Sequence, residues 1–170
     1  PAMRRGFASW KQFFYRHFLG ASLSYLRDNR PDIDLEQAYG TVIFLRFGDK
    51  IAAETFPIHA NVLAESISRF ESCTILSDDQ TRVEKLIEEA PDRAFNTLYG
   101  RHISGYDFNK SSHNIAGFED VLVKWCIMAK AETLHTDCNT NIANAAFAAN
   151  SATGYASKSP LAIFRPTLLI

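Results

Sequence analysis

The chain has 170 residues, 46% of them hydrophobic and 22% charged, with a net charge of −1. That is an ordinary globular composition for one domain, or for a smaller domain with an added arm. No apolar run approaches the roughly 20 residues that span a bilayer, and after residue 30 no Lys/Arg stripe interleaved with aromatics gives a nucleic-acid footprint.

The charge is uneven. Residues 1–27 hold Arg4, Arg5, Lys11, Arg16 and Arg27 with no acid, so this segment is +5 and the remainder −6. The pattern predicts a basic helical arm over 1–38, a body over 39–150, and a linker with an apolar tail over 151–170. Cys73, Cys126 and Cys138 are odd in number and form no C-x-x-C pair. They give neither a disulfide framework nor a zinc site and point to a reducing, intracellular compartment, cytoplasmic or nuclear. The histidines show no ligand spacing, and no glycine-rich phosphate loop or nucleotide fingerprint occurs, so no metal or cofactor is expected.

In chain order, residues 7–27 read as an amphipathic helix. Phe7, Trp10, Phe14, Phe18, Ala21 and Tyr25 recur at spacings of three and four. Pro31 disfavours helix in the residue before it and ends the segment. Residues 34–38 suggest a short turn. Thr41–Gly48 is the clearest strand, rich in β-branched and aromatic residues. Gly48-Asp49-Lys50 predicts a hairpin turn, with 51–58 as the return strand. Short helices are expected over 61–65 and 68–72, then a polar loop over 77–80. Residues 82–89 suit a helix by propensity, or a strand with Val83 and Ile87 on one face. After the Glu89–Asp92 turn a helix is expected over 93–101, with Phe95 and Leu98 inward. A loop over 104–117 leads to a helix over 119–134 with Val121, Leu122, Trp125, Cys126 and Ala129 on its apolar face. His135–Cys138 reads as a turn, and the Ala-rich run 139–150 as a last helix.

Three groups of residues carry a family resemblance. Phe56, His59, Leu63, Ser66 and Phe70 follow a strand; Ala94, Phe95, Leu98, Ser104 and Gly105 come next; Leu122, Trp125, Ala129 and Leu134 close the set. Their order resembles the signature of the BTB/POZ domain, in a divergent, fungal-type form. The resemblance implies an α+β fold: a small three-stranded sheet, a cluster of about five helices and an extra N-terminal amphipathic helix. It favours a strand over 82–89. It implies no catalytic site, the signature residues being structural, with His59 satisfied by backbone groups and Leu63, Phe70 and Phe95 in the core.

The function implied is protein–protein interaction: homodimerisation and recruitment of other proteins, as adaptor or scaffold in ubiquitin ligase or transcriptional assemblies. Trp10, Phe14, Phe18 and Tyr25 are the expected oligomer interface, since aromatics concentrate in interface cores. Leu76 and Asp78 fit the apolar-x-acidic motif with which some members bind a cullin scaffold. A second reading makes the basic helix 7–27 a peripheral membrane or organelle-targeting element. A remote third makes His135 and Cys138 a thiol nucleophile and its base.

Overall fold

Strand and helix alternate along the chain. The computed structural model describes residues 2–37, 39–47, 64–65, 67–89, 94–99, 113–136 and 141–153. Its elements are α1 (Ala2–Asn29), β1 (Tyr39–Leu45), β2 (Ser72–Ser77), α2 (Gln80–Glu88), β3 (Ala94–Tyr99), α3 (His113–Lys130), β4 (Ala131–Thr136) and α4 (Asn141–Thr153). Among the described residues the strands form one four-stranded sheet in the order β3-β2-β1-β4. Every neighbouring pair is parallel: Val42 opposite Thr74 and Leu134, and Ser72 opposite Ala94.

A central parallel strand is buried on both faces, so it reads as an unbroken apolar run. Val42–Leu45 is such a run, and all four residues are buried. Alternate residues enter different layers. Val42, Phe44, Leu76 and Leu134 join Leu26, Trp125, Met128 and Ala146 in a core beneath α1, α3 and α4. Ile43, Leu45, Cys73 and Ile75 join Ala64, Ile67, Val83 and Leu86 on the opposite face, beneath α2. The β2-to-β3 connection thus runs over one face. The return connection from β3 to β4, through α3, runs over the other. Crossovers of one hand require this separation when the direction of strand addition reverses.

The architecture departs from the BTB-like expectation in strand count and in pairing. Among the described residues four strands are present rather than three, and β1 has β2 on one side and β4 on the other. That leaves β1 no open edge for a hairpin partner; the Gly48–Lys50 turn and the strand expected over 51–58 lie outside the described residues. Ser72, expected to end a short helix, instead begins β2, whose Cys73–Leu76 run is apolar and β-prone. Residues 82–88 resolve as helix, with Glu89 at its carboxyl cap, because Asp79 caps the other end: its side chain accepts the Arg82 N–H at 3.0 Å. Val83 and Leu86, three apart, then face inward. The helix expected over 93–101 is strand β3, where Phe95 and Thr97 suit a pleated backbone.

The helix expected over 119–134 starts earlier and ends at Lys130, and its last four expected residues belong to β4. Helix and strand meet there without an intervening loop residue. Carbonyls stranded by the change of conformation need partners. Asn150, fully buried on α4, donates its amide to Ala131 O at 2.6 Å and Ala129 O at 3.4 Å. The buried Lys130 Nζ donates to Leu35 O. These side chains pin the junction to α4 and to the segment ahead of β1.

α1 covers the expected 7–27 and extends beyond it to Ala2 and Asn29, and the face it turns inward is not the aromatic one. Leu19, Ser22 and Leu26 are buried, with Tyr15 and Leu23 packed beside them. The aromatic stripe looks outward. Arg30, just past the helix, bonds Asp120 on α3 at 2.8 Å and Asp32 at 3.0 Å, tying α1 to α3.

Candidate ligand site at the carboxyl edge of the sheet

In an open parallel sheet the strands' carboxyl ends form a crevice where the order of strand addition reverses. Here the chain adds β2 and β3 on one side of β1 and then returns to place β4 on the other, so the reversal falls between β1 and β4. The residues leaving the strands at this edge are Arg46 and Phe47 after β1, Asp78 and Asp79 after β2, and His135 and Thr136 closing β4.

Local chemistry fixes them. The fully buried Phe47 donates its backbone N–H to Asp78 Oδ1 at 3.0 Å, which locks the ends of β1 and β2 together. Ser77 Oγ accepts the Asp79 N–H at 3.1 Å, and Asp79 in turn caps α2. Arg82, in the first turn of α2, meets Asp79 at 3.4 Å, and its guanidinium sits 5.9 Å from the Phe47 ring centroid. The N-terminus of α2, the positive end of its dipole, therefore also lies at this edge. His135 is buried, its ring 4.9 Å from that of Phe70.

Lys124 enters from α3. It is only 3% exposed. Burial holds its ammonium below the usual lysine range, against the pull of Asp78 and Asp120, and Arg46 pushes the same way as burial. Its charge is thus within electrostatic reach of the ends of both β1 and β2. The edge gathers Arg46, Arg82 and Lys124 with the carboxylates Asp78 and Asp79. Asp79 holds Arg82, and the set counts three cationic side chains to two carboxylates.

A separate cavity of ≈ 310 Å³ lies toward the amino-terminal half of β2 and β3, on the α3 face. Asp34, Gln37, Tyr39, Thr74, Asn96 and Ile127 are among its walls. It does not include the carboxyl-edge residues.

Of the residues singled out from sequence, Trp10, Phe14, Phe18 and Tyr25 share the outer side of α1 and are exposed, at 67%, 54%, 41% and 41%. Phe14 and Phe18 stack at 5.8 Å, and Tyr25 donates its hydroxyl to Glu119 at 2.8 Å. Phe13, also exposed, joins this surface against Trp10 and was not expected there; Phe118 on α3 is exposed as well. Leu76 is a buried strand residue rather than part of a loop, and Asp78 is engaged with the Phe47 amide. Phe70 and Phe95 pack against the α2-side core, and Leu98 lies on β3. Phe56, His59, Leu63, Ser66, Gly105 and Cys138 lie outside the described residues. His135 belongs to β4 and not to a turn.

Sequence reasoning missed Arg46, Lys124 and the N-terminus of α2 because they are remote from one another in the chain. The available signal was the pair of short apolar runs, Val42–Leu45 and Cys73–Leu76, each running directly into polar residues. Two such runs indicate parallel strands, and the ends of parallel strands are where a ligand site is sought. Comparison with known proteins gives no match to a family model, to a curated protein or to a solved structure.

Proposed function

We propose that this chain is a small-molecule-binding domain whose ligand, a phosphate-bearing compound of the nucleotide class, lies across the carboxyl ends of β1 and its neighbours β2 and β4. The observation that carries the reading is the all-parallel order β3-β2-β1-β4, with its reversal beside β1. The residues at that edge suit the ligand. Arg46, directly after the central strand, is partly exposed and offers a planar, permanently charged fork for phosphate oxygens. Lys124 and the α2 N-terminus add positive potential from two other elements. Residues 45–48 read Leu-Arg-Phe-Gly, which is not the glycine-rich turn that cradles phosphates through backbone amides. In this reading side-chain cations take over that role, and affinity depends on them.

The test is calorimetric titration of the intact chain with nucleoside diphosphates, with pyrophosphate and a nucleoside as partial ligands. Diphosphates are expected to bind more tightly than nucleosides, and Arg46→Ala to weaken them by about tenfold or more, as for loss of a charge-assisted contact. If no phosphate compound binds at millimolar concentration, or Arg46→Ala leaves binding unchanged, the reading fails.

A further inference from the structure

α1 carries two apolar faces, and the core uses only one. Leu19, Ser22 and Leu26 turn inward, while Trp10, Phe13, Phe14 and Phe18 turn out with between 41% and 67% of their surface in solvent. At about 100° per residue these four aromatics fall within roughly 140° of the helix circumference. They form a contiguous surface: Trp10 meets Phe13 edge-on at 5.9 Å, Phe14 stacks on Phe18 at 5.8 Å, and Phe18 leans on Trp125 at 5.1 Å. An aromatic patch of this kind on a globular surface marks a contact site.

The charge around it selects the partner. Residues 1–27 contain five Arg or Lys and no Asp or Glu. Arg16 is exposed beside the aromatic row. Among the described residues, acidic side chains meet the far end of the helix, where Glu36 meets Arg27, Glu119 meets Tyr25, and Asp120 meets Arg30. Two copies meeting through the same face would oppose two cationic segments. An anionic surface satisfies both the charge and the aromatic rings, which favour the boundary between headgroups and acyl chains. Among the described residues no helix is long and apolar enough to cross a membrane, so any such contact lies along the surface.

We propose that the amino-terminal half of α1 docks in the headgroup region of an anionic bilayer, with Trp10, Phe13, Phe14 and Phe18 inserted and Arg16 at the phosphate level. The acidic cluster near residue 30 sets the limit of the contact and lifts the body away from the lipid.

The experiment is co-sedimentation of the intact chain with vesicles of phosphatidylcholine, alone or with one third phosphatidylserine. It is read alongside Trp10 emission; Trp125, already 4% exposed, gives a constant background. Binding to the anionic vesicles only, with a blue shift of Trp10, is expected. Arg16→Ala should weaken it about fivefold, and Phe14→Ala with Phe18→Ala about tenfold or more. These are surface positions, so circular dichroism should show an unchanged fold. Trp10→Phe, which retains the aromatic face, should still sediment.

Three results would overturn the proposal: no sedimentation with anionic vesicles, equal sedimentation with both kinds, or a dimer in light scattering that Phe14→Ala with Phe18→Ala dissociates while vesicles are ignored. The last would assign the face to a second copy of the chain.

Discussion

Replacing Asn150 by Ala removes the amide that holds the α3–β4 junction. Its bond to Ala131 O is 2.6 Å long in a fully buried setting. Without the donor that carbonyl has lost a partner that water is poorly placed to replace, at a cost of about 1–3 kcal/mol. A loss of about 2 kcal/mol lowers Tm by roughly 4–8 °C for a domain of this size. Asn29 supplies the control. Its amide bonds Tyr25 O at 2.8 Å, the same chemistry at nearly the same length, but on the surface. Water replaces that bond, and Asn29→Ala should stay within about 0.5 kcal/mol. Urea melts followed by circular dichroism give both values, with equal m-values required for the comparison. Asn150→Leu, which restores volume but not the donor, should remain destabilised. Equal losses at positions 29 and 150, or a neutral Asn150→Ala, would refute the argument that the junction depends on a buried donor.

Asp79→Ala, which removes the cap of α2, should cost about 1 kcal/mol in the same melts and leave the sheet intact by far-ultraviolet dichroism. Burial pushes the Cys73 and Cys126 thiols up to about 12. Both should resist alkylation in the native protein and react on unfolding, as site-resolved mass spectrometry would show. Because the unfolded chain ionises these thiols first, their contribution to stability is present below the ordinary thiol range and declines as pH rises through it. Arg30 holds the Asp32 carboxyl below its ordinary value. That contribution is present above the usual carboxylate range and is lost as pH falls through the depressed value; Arg30→Ala should flatten this acid limb of the stability profile.

How far the sequence revealed the structure varied by element. α1 and α4 were legible because their periodicity and composition extend over many residues. β1 was legible as a strand but not as a parallel one. Gly48-Asp49-Lys50 carries the composition of a hairpin turn, and nothing local distinguishes that from a connection leading elsewhere. β3 was read as a helix because Phe95 and Leu98, three apart, satisfy helical spacing, and six residues are too few to decide the period. The α3–β4 boundary has no Gly, Pro or Asn to announce it. Asn150 on α4 and the Leu35 carbonyl that Lys130 reaches supply the missing stop from outside the local sequence. The carboxyl-edge cluster was illegible for a related reason: Arg46, Asp78 and Lys124 are neighbours only once the strand order is known. The exposed row on α1 was the part read directly, since aromatic residues at spacings of three and four need no tertiary knowledge to be placed on one face.

The position of β1 bears on how the chain can fold. Val42 reaches Thr74 through a comparatively short excursion, whereas Tyr39 finds Ala131 about three times as far away in sequence. A threefold longer closing loop adds roughly 0.9 kcal/mol of entropy cost, before any contact offsets it. The central strand therefore acquires its two edges in different ways, one through comparatively local closure and the other through a connection that takes in β2, α2, β3 and α3. On a ribosome, β1 would wait half-paired, with one row of backbone N–H and C=O groups unpaired beside its apolar side chains, until residue 136 had emerged.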